Sequence, residues 1–180
     1  MHDVTLAEKV RQLLQEDRPI VMGGVYDGLS TRLAAEAGFE VLFMGGFSVA
    51  ATHLGEPDFG LLTQTEMADA ARRVCRLSEL PVLVDADTGY GSPLNVVRTV
   101  ELYQNAGAAG LFLEDQVWPK RCGHMSGKRV VERDEWLAKL RAVVETRGAR
   151  DLFLVARTDA RAVIGLDEAA DDLDGETLGL

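Results

Sequence analysis

The sequence predicts an α/β protein built on a parallel sheet, and three observations support this prediction. Five short apolar segments of strand type alternate with segments of helical spacing along the chain. The strand segments are apolar throughout, which is typical of strands that helices cover on both faces. Charged residues and glycines gather directly after successive strands, where parallel α/β folds place their functional groups. The pattern fits either an open doubly wound sheet or part of a (β/α)8 barrel.

In the amino-terminal part of the chain, the sequence pattern predicts two helix–strand pairs and one further helix. Apolar residues recur at helical spacing in segments 6–15 and 29–37. Segments 20–22 and 41–44 are short and apolar, and each runs into a pair of glycines, so both predict strands. A long connection follows the second of these strands, and the next helix is expected over residues 65–77.

The rest of the chain repeats the alternation. Ser92-Pro93 combines an N-cap residue with a first-turn proline and so marks a helix start. A long polar loop, residues 115–131, precedes the last helix. The strands predicted in this part are 82–85, 110–114 and 152–156, and the helices are 93–105 and 134–146.

Composition sets the class of protein. With 180 residues and 47% apolar content, the chain can form one core, which we assign to residues 1–166. Residues 167–180 contain no Lys or Arg and form an acidic tail or the start of a sixth unit. A net charge of −10 without a basic stripe argues against nucleic acid or an anionic membrane as partner. The lack of a long apolar segment, of a signal-peptide core and of a disulfide framework predicts a cytoplasmic protein.

Acidic residues at the ends of the predicted strands suggest a metal site. Asp85 and Asp87 are two residues apart, so on a strand they project to the same side. Their oxygen ligands suit a hard cation such as Mg²⁺. In a barrel, Glu114 and Arg157 would converge on the same mouth, where Arg157 could hold a substrate carboxylate with two hydrogen bonds. The alternative is that each charge is a solvated strand end.

The loop sequence Lys120-Arg121-Cys122-Gly123-His124 forms the second candidate element. Cations beside a thiol favour its thiolate form, so Cys122 could give or take a proton near neutral pH. Gly123 permits close backbone approach to a ligand, and the length of the loop is typical of an active-site lid. The alternative is an exposed basic loop with an incidental cysteine.

The order of these motifs resembles the isocitrate lyase and phosphoenolpyruvate mutase superfamily, and most of all its short 2-methylisocitrate lyase type. The likeness covers about residues 5–169. It includes segment 54–60, which carries the superfamily's earlier aspartate, Asp58. The other matching motifs are Asp85-Ala86-Asp87-Thr88-Gly89-Tyr90-Gly91, Leu113-Glu114-Asp115-Gln116, the 120–124 loop sequence and Ala156-Arg157-Thr158-Asp159.

This resemblance implies a (β/α)8 barrel, of which the chain holds about the first five βα units, and a small carboxylic acid substrate. It also implies Mg²⁺, with Mn²⁺ as a possible substitute. The implied metal ligands are Asp85 directly, and Asp58, Asp87 and Glu114 partly through water. The implied catalytic residues are Cys122 as general acid, Arg157 and His124. The implied substrate-contact residues are Gly45, Gly46, Lys120, Gly123 and Arg157.

From the resemblance we expect an Mg²⁺-dependent lyase that cleaves a 2-methylisocitrate-like 2-hydroxy di- or tricarboxylic acid to a 2-oxo acid and a carboxylate. Gly45-Gly46 replaces the usual serine-glycine pair, and Phe43 stands where the lyases commonly have tyrosine. These departures favour a sibling, either a carboxyphosphonoenolpyruvate mutase-like or an oxaloacetate-cleaving activity. Superfamily members are typically homotetramers and continue for three more strands, so the third alternative is an inactive partial barrel.

Overall fold

Five parallel strands lie side by side in chain order, β1-β2-β3-β4-β5, in the computed structural model. The structure describes residues 4–123 and 125–166. The strands are β1 (Met22–Val25), β2 (Val41–Met44), β3 (Val82–Asp85), β4 (Gly110–Glu114) and β5 (Phe153–Arg157). The helices are α1 (Leu6–Leu14), α2 (Gly28–Glu36), α3 (Gly46–His53), α4 (Gln64–Cys75), α5 (Pro93–Ala106) and α6 (Arg133–Arg147), followed by a 3-10 turn at Ala160–Ala162.

The strand order decides between the two architectures that the sequence allowed. A doubly wound sheet reverses its strand order at a switch point, whereas a βα barrel adds each strand beside the previous one. The order β1 to β5 contains no reversal. The chain therefore folds as the first five βα units of a TIM-type barrel, as the resemblance implied.

Two local predictions were wrong. We expected β1 at residues 20–22, but it covers Met22–Val25 and contains both glycines that we took as its end. Gly23 does not form a turn; it allows the ring of Phe39 to pack closely against the strand. A Cβ at this position would lie only 2.9 Å from that ring. The connection after β2 also contains a helix, α3, which Gly45 caps and which buries Val49.

The two faces of the sheet pack differently. Leu42, Val84 and Leu111 on the outer face join the large core with residues of α4, α5 and α6. On the inner face, Val10 of α1 packs with Val41 and Leu83 at the amino end of the strands. An open apolar groove of about 520 Å³ lies along the inner side of β5 and α1. The carboxyl end of the inner face is therefore left for polar groups.

Two predictions fall outside the described part of the chain, namely His124 and the tail at 167–180. Within residues 4–123 and 125–166, no helix combines the length and the apolar character that crossing a bilayer requires.

Candidate active site

Asp85 and Asp87 converge at the carboxyl end of β3, as the sequence predicts, but a turn brings them together. β3 ends at Asp85, and Asp87 adopts a left-handed backbone conformation with φ of +48°. The Asp85 carboxylate accepts hydrogen bonds from the backbone N–H groups of Asp87, at 2.9 Å, and Gly46, at 3.1 Å. One oxygen of each aspartate lies 3.4 Å from the position that a Cβ on Gly46 would take. The first residue of α3 therefore closes one side of the acid pair.

Lys120 is buried among the acids. Its Nζ lies 2.6 Å from Oδ2 of Asp58 and 2.7 Å from Oδ1 of Asp87. Burial alone would lower the pKa of Lys120, but Asp87 and Asp85 outweigh it and raise that pKa above its ordinary value. Burial and the Asp85 charge raise the pKa of Asp87 to about 7, although Lys120 opposes the shift. Two acids contact the one ammonium and Asp85 adds a third negative charge nearby, so the cluster favours additional positive charge.

Glu114 and Arg157 form the second part of the site. They are register partners on β4 and β5, and Nη1 of Arg157 lies 3.1 Å from Oε2 of Glu114. We predicted that Arg157 follows its strand, whereas it is the last strand residue, which is why the two side chains meet. Burial raises the pKa of Glu114 to about 8 against the effect of Arg157. The backbone N–H of Glu114 donates to the carbonyl of Asp87 at 2.8 Å, which joins both halves of the site.

A cavity of about 330 Å³ contains residues from both predicted elements. Cys122 and Asp85 line the same cavity, so the thiol lies on the same side of the sheet as the acids. Gly123 packs closely, because a Cβ there would lie 3.0 Å from Nη2 of Arg157. The lining residues are Phe43, Gly45, Gly46, Phe47, Asp58, Asp85, Lys120, Cys122, Gly123 and Arg157.

Two polar residues with central positions were not predicted as parts of the site. The hydroxyl of Tyr103 on α5 donates to the backbone carbonyl of Asp85 at 3.0 Å. The carboxamide of Gln116 contacts Glu114 and the 120–124 loop. Gln116 could have been found, because the two-residue period of a strand places it on the same face as Glu114. Tyr103 occupies an ordinary core position on a helix, and no sequence signal distinguishes it.

The donor chemistry of the site fits Mg²⁺ or Mn²⁺, although the side chains are not arranged around a metal. Oδ1 of Asp87 and Oε2 of Glu114 are buried, and each faces a cation, namely Nζ of Lys120 at 2.7 Å and Nη1 of Arg157 at 3.1 Å. Buried carboxylate oxygens are ligands that hard divalent cations prefer. Within the described residues, no three His, Cys, Asp or Glu side chains are placed to hold a metal ion together.

The fold and the site define a class: a TIM-type barrel segment whose polar groups lie at the carboxyl ends of its strands. The sequence profile of the phosphoenolpyruvate phosphomutase family matches residues 10–175. The chain therefore belongs to this family, and the resemblance to the isocitrate lyase and phosphoenolpyruvate mutase superfamily is confirmed.

Individual relatives support this assignment. The chain is 45% identical over 163 residues to 2,3-dimethylmalate lyase of Eubacterium barkeri, covering 91% of this chain and 56% of that protein. It is 43% identical over 164 residues to 2-methylisocitrate lyase of Halalkalibacterium halodurans, covering 91% and 54%. The chain thus spans little more than half the length of these curated relatives.

Solved structures agree with this result. Oxaloacetate acetylhydrolase in complex with 3,3-difluorooxalacetate superposes with a TM-score of 0.90 at 45% identity, over 98% of this chain and 60% of that one. Phosphonopyruvate hydrolase in complex with oxalate and Mg²⁺ gives a TM-score of 0.84 at 28% identity, over 97% and 59%. The similarity covers nearly all of this chain in both cases.

Proposed function

We propose that residues 1–166 form the catalytic part of an Mg²⁺-dependent carbon–carbon lyase site for a small 2-hydroxy di- or tricarboxylic acid. The observation that carries this proposal is the shared cavity, in which Asp85, Arg157 and Cys122 face one space. Two relatives, named as lyases of dimethylmalate and methylisocitrate, support the reaction class. The structural neighbour that holds oxalate with Mg²⁺ supports the metal.

The metal would be held by Asp85, with Asp58, Asp87 and Glu114 around it. When bound, Mg²⁺ would act as a Lewis acid on the oxygens of the part of the substrate that leaves as the 2-oxo acid, and so would stabilise the alkoxide from which the new carbonyl forms. The Lys120 ammonium holds Asp58 and Asp87 in place. These four acids are the proposed metal-binding set.

Arg157 and Cys122 are the two residues that contact the substrate directly. The Arg157 guanidinium, about one third exposed, binds a substrate carboxylate. The substrate hydroxyl loses its proton to a base as its oxygen becomes the carbonyl of the 2-oxo acid. As the carbon–carbon bond breaks, its electron pair remains on the carboxylate fragment, and the Cys122 thiol donates a proton to that carbon. Gly45, Gly46, Lys120 and Gly123 line the space around the substrate, and we include His124 in the catalytic loop on its motif. The rings of Phe43 and Phe47 help to exclude water.

Oxaloacetate cleavage is the second candidate, and Phe43 favours it. This ring lines the cavity and packs edge-to-face on Phe112 with centroids 4.9 Å apart, so it offers no hydroxyl to a substrate. A lyase acting on a 2-hydroxy acid needs a base for the substrate hydroxyl. Oxaloacetate carries a ketone at that carbon instead, and its cleavage to oxalate and acetate consumes one water molecule that adds to the ketone carbon. The similarity to oxaloacetate acetylhydrolase supports this alternative.

A substrate panel tests the proposal. Purified protein receives 2-methylisocitrate, isocitrate, 2,3-dimethylmalate or oxaloacetate with Mg²⁺, Mn²⁺ or EDTA, while 2-oxo acid and oxalate are quantified. We expect turnover of at least one acid with Mg²⁺, loss of turnover with EDTA, and strong reduction in Cys122→Ala. Cys75→Ala is the matched control, because this half-buried thiol lies at the end of α4 and does not line the cavity, and its partial burial raises its pKa to about 12.

The results separate the alternatives. Oxalate release from oxaloacetate alone would select the second candidate. Turnover that persists unchanged in Cys122→Ala would contradict the general-acid role. A folded protein that turns over none of the acids would favour an inactive partial barrel.

We also propose that the protein assembles into a homo-oligomer. The apolar groove beside β5 leaves Met22 and Val155 bordering an open space, and open apolar surface of this kind favours association. Light scattering measures the assembly directly, and a monomer at all concentrations would contradict it.

A further inference from the structure

The buried carboxamide of Gln116 connects three segments at the edge of the cavity. Gln116 is only 1% exposed. Its Nε2 donates to Oε1 of Glu114 at 3.2 Å, to Oδ2 of Asp159 at 2.8 Å and to the carbonyl of Arg121 at 3.0 Å. Its Oε1 accepts a hydrogen bond from the backbone N–H of Arg121 at 2.9 Å. One side chain thus contacts β4, the segment after β5 and the loop.

The two bonds to Arg121 set the path of the loop backbone. Gln116 binds both the N–H and the carbonyl of this residue, as a neighbouring strand would. Arg121 lies between Lys120, which enters the acid cluster, and Cys122, which lines the cavity. The position of Arg121 therefore determines where both neighbouring side chains enter.

Asp159 extends the same connection to the far side of the loop. Its Oδ1 accepts from Nζ of Lys128 at 2.6 Å, and the same ammonium bonds the carbonyl of Gly123. Asp159 also contacts Nη2 of Arg157 at 3.4 Å. Gln116 thus connects Arg121 to Asp159, and Lys128 connects Gly123 to the same carboxylate.

We propose that Gln116 is a positioning residue that holds residues 120–123 over the cavity. Its catalytic consequence rests on the proposed lyase function, whereas the position of the loop can be measured without turnover. Gln116→Glu tests the idea sharply, because a carboxylate has almost the same shape but cannot donate to Glu114, Asp159 or the Arg121 carbonyl. It would also bring a third negative charge beside two carboxylates.

Gln104→Glu is the matched control. The Gln104 carboxamide likewise donates to two backbone carbonyls, those of Arg147 and Arg150, at the end of α5 away from the cavity. The same chemical change there should leave the loop unaffected. Gln116→Met adds a variant that removes the hydrogen bonds without adding charge.

The measurements are the rate at which a thiol reagent labels Cys122, followed by mass spectrometry, and tryptic cleavage after Lys120, Arg121 and Lys128. We expect both rates to rise about tenfold in Gln116→Glu and less in Gln116→Met, since loss of buried hydrogen bonds of this kind corresponds to at least that factor. Gln104→Glu should match the unchanged protein. If a panel substrate is turned over, kcat should fall in Gln116→Glu more than KM rises.

Unchanged labelling and cleavage in a folded Gln116→Glu protein would overturn the proposal. If that variant does not fold, Gln116→Met decides by the same criteria. If the unchanged protein turns over no panel substrate but Cys122 is labelled faster in Gln116→Glu, the lyase function is contradicted and the positioning role of Gln116 is supported.

Discussion

Ion pairs of similar length lie at the two ends of the sheet, in opposite surroundings. At the amino end, Arg11 of α1 binds Asp151 with two hydrogen bonds of 2.6 and 2.9 Å near the surface. The hydrogen bond from Arg11 lowers the pKa of Asp151 to about 2. At the carboxyl end, Lys120 lies 2.7 Å from Asp87, whose pKa is raised to about 7. The two carboxylates shift in opposite directions because burial penalises the charge of Asp87 more than Lys120 stabilises it.

This difference shows what each pair does for the protein. A paired carboxylate at the surface keeps its water and adds a little stability. Buried carboxylates lose hydration, and Lys120 and Arg157 offset that loss only in part, so the charged forms of Asp87 and Glu114 reduce the stability of the fold. That cost is typical of functional sites, where a bound cation or ligand would offset it.

Replacing the cation of each ion pair should give the largest difference in the free energy of unfolding between the two ends of the sheet. Lys120→Met leaves Asp58 and Asp87 buried without their partner, and we expect a loss of about 3–5 kcal/mol in the free energy of unfolding. Arg11→Met, the matched change at the amino end, should cost about 1 kcal/mol or less because its pair is partly exposed. Urea unfolding in EDTA at neutral pH measures both values. Equal losses in the two variants would refute the comparison.

The pH dependence of the carboxyl end should be the next largest effect. Because the pKa of Glu114 is raised from 4.5 to about 8, the folded state binds its proton more tightly than the unfolded chain. Its contribution to stability is full below about pH 4.5 and is lost as the pH rises through 8. Glu114→Gln removes this loss, because its amide does not ionise. Between pH 5 and pH 8 we therefore expect the free energy of unfolding of Glu114→Gln to rise relative to that of the unchanged protein by roughly 3–4 kcal/mol, since one pKa unit corresponds to about 1.4 kcal/mol.

Glu101→Gln on the exposed side of α5 is the control for this measurement, which is made by urea unfolding in EDTA across pH 5 to 8. A wild-type stability that rises steadily over this range, with no difference in Glu114→Gln, would show that the carboxyl is not destabilised by burial.

The smallest effect should come from the ion pair at the amino end of the sheet. Its contribution to stability is lost as the pH falls, whereas that of Glu114 is lost as the pH rises. The pKa of Asp151 is lowered from 3.8 to about 2, so its stabilisation is present above 3.8 and is lost as the pH falls through 2. A double-mutant cycle of Arg11→Met with Asp151→Asn should give a coupling of about 0.5–1 kcal/mol at pH 6 that weakens with salt. A coupling that persists at pH 2 or in molar salt would count against this account.

Much of the fold could be predicted because it depends on local patterns. The apolar runs of β2 and β4 match their observed limits, Val41–Met44 and Gly110–Glu114. Ser92-Pro93 begins α5 as expected, with a capping box to Asn95. The prediction missed α3 because Gly45-Gly46 indicated a turn, whereas burial of Val49 stabilises a helix there. Tertiary packing outweighed the local signal.

The candidate site likewise has features that the sequence predicts and features that it does not. The ordered motifs predicted which residues gather, and Asp85, Lys120, Cys122 and Arg157 do line one cavity. The sequence could not predict that Lys120 neutralises Asp58, since these residues are 62 positions apart. It also could not indicate that Tyr103 bonds the carbonyl of Asp85, because that contact depends on how α5 packs on β3.

By itself, the sequence determined the family, the alternation of strands and helices, and the identities of the chemical groups at the strand ends. Residue type and spacing along one segment carry that information directly. Only the tertiary structure decided that the sheet runs in barrel order, that Lys120 is shared by two acids and that Gln116 binds the loop. Each of these depends on distances between segments far apart in the chain and on the exclusion of water between them.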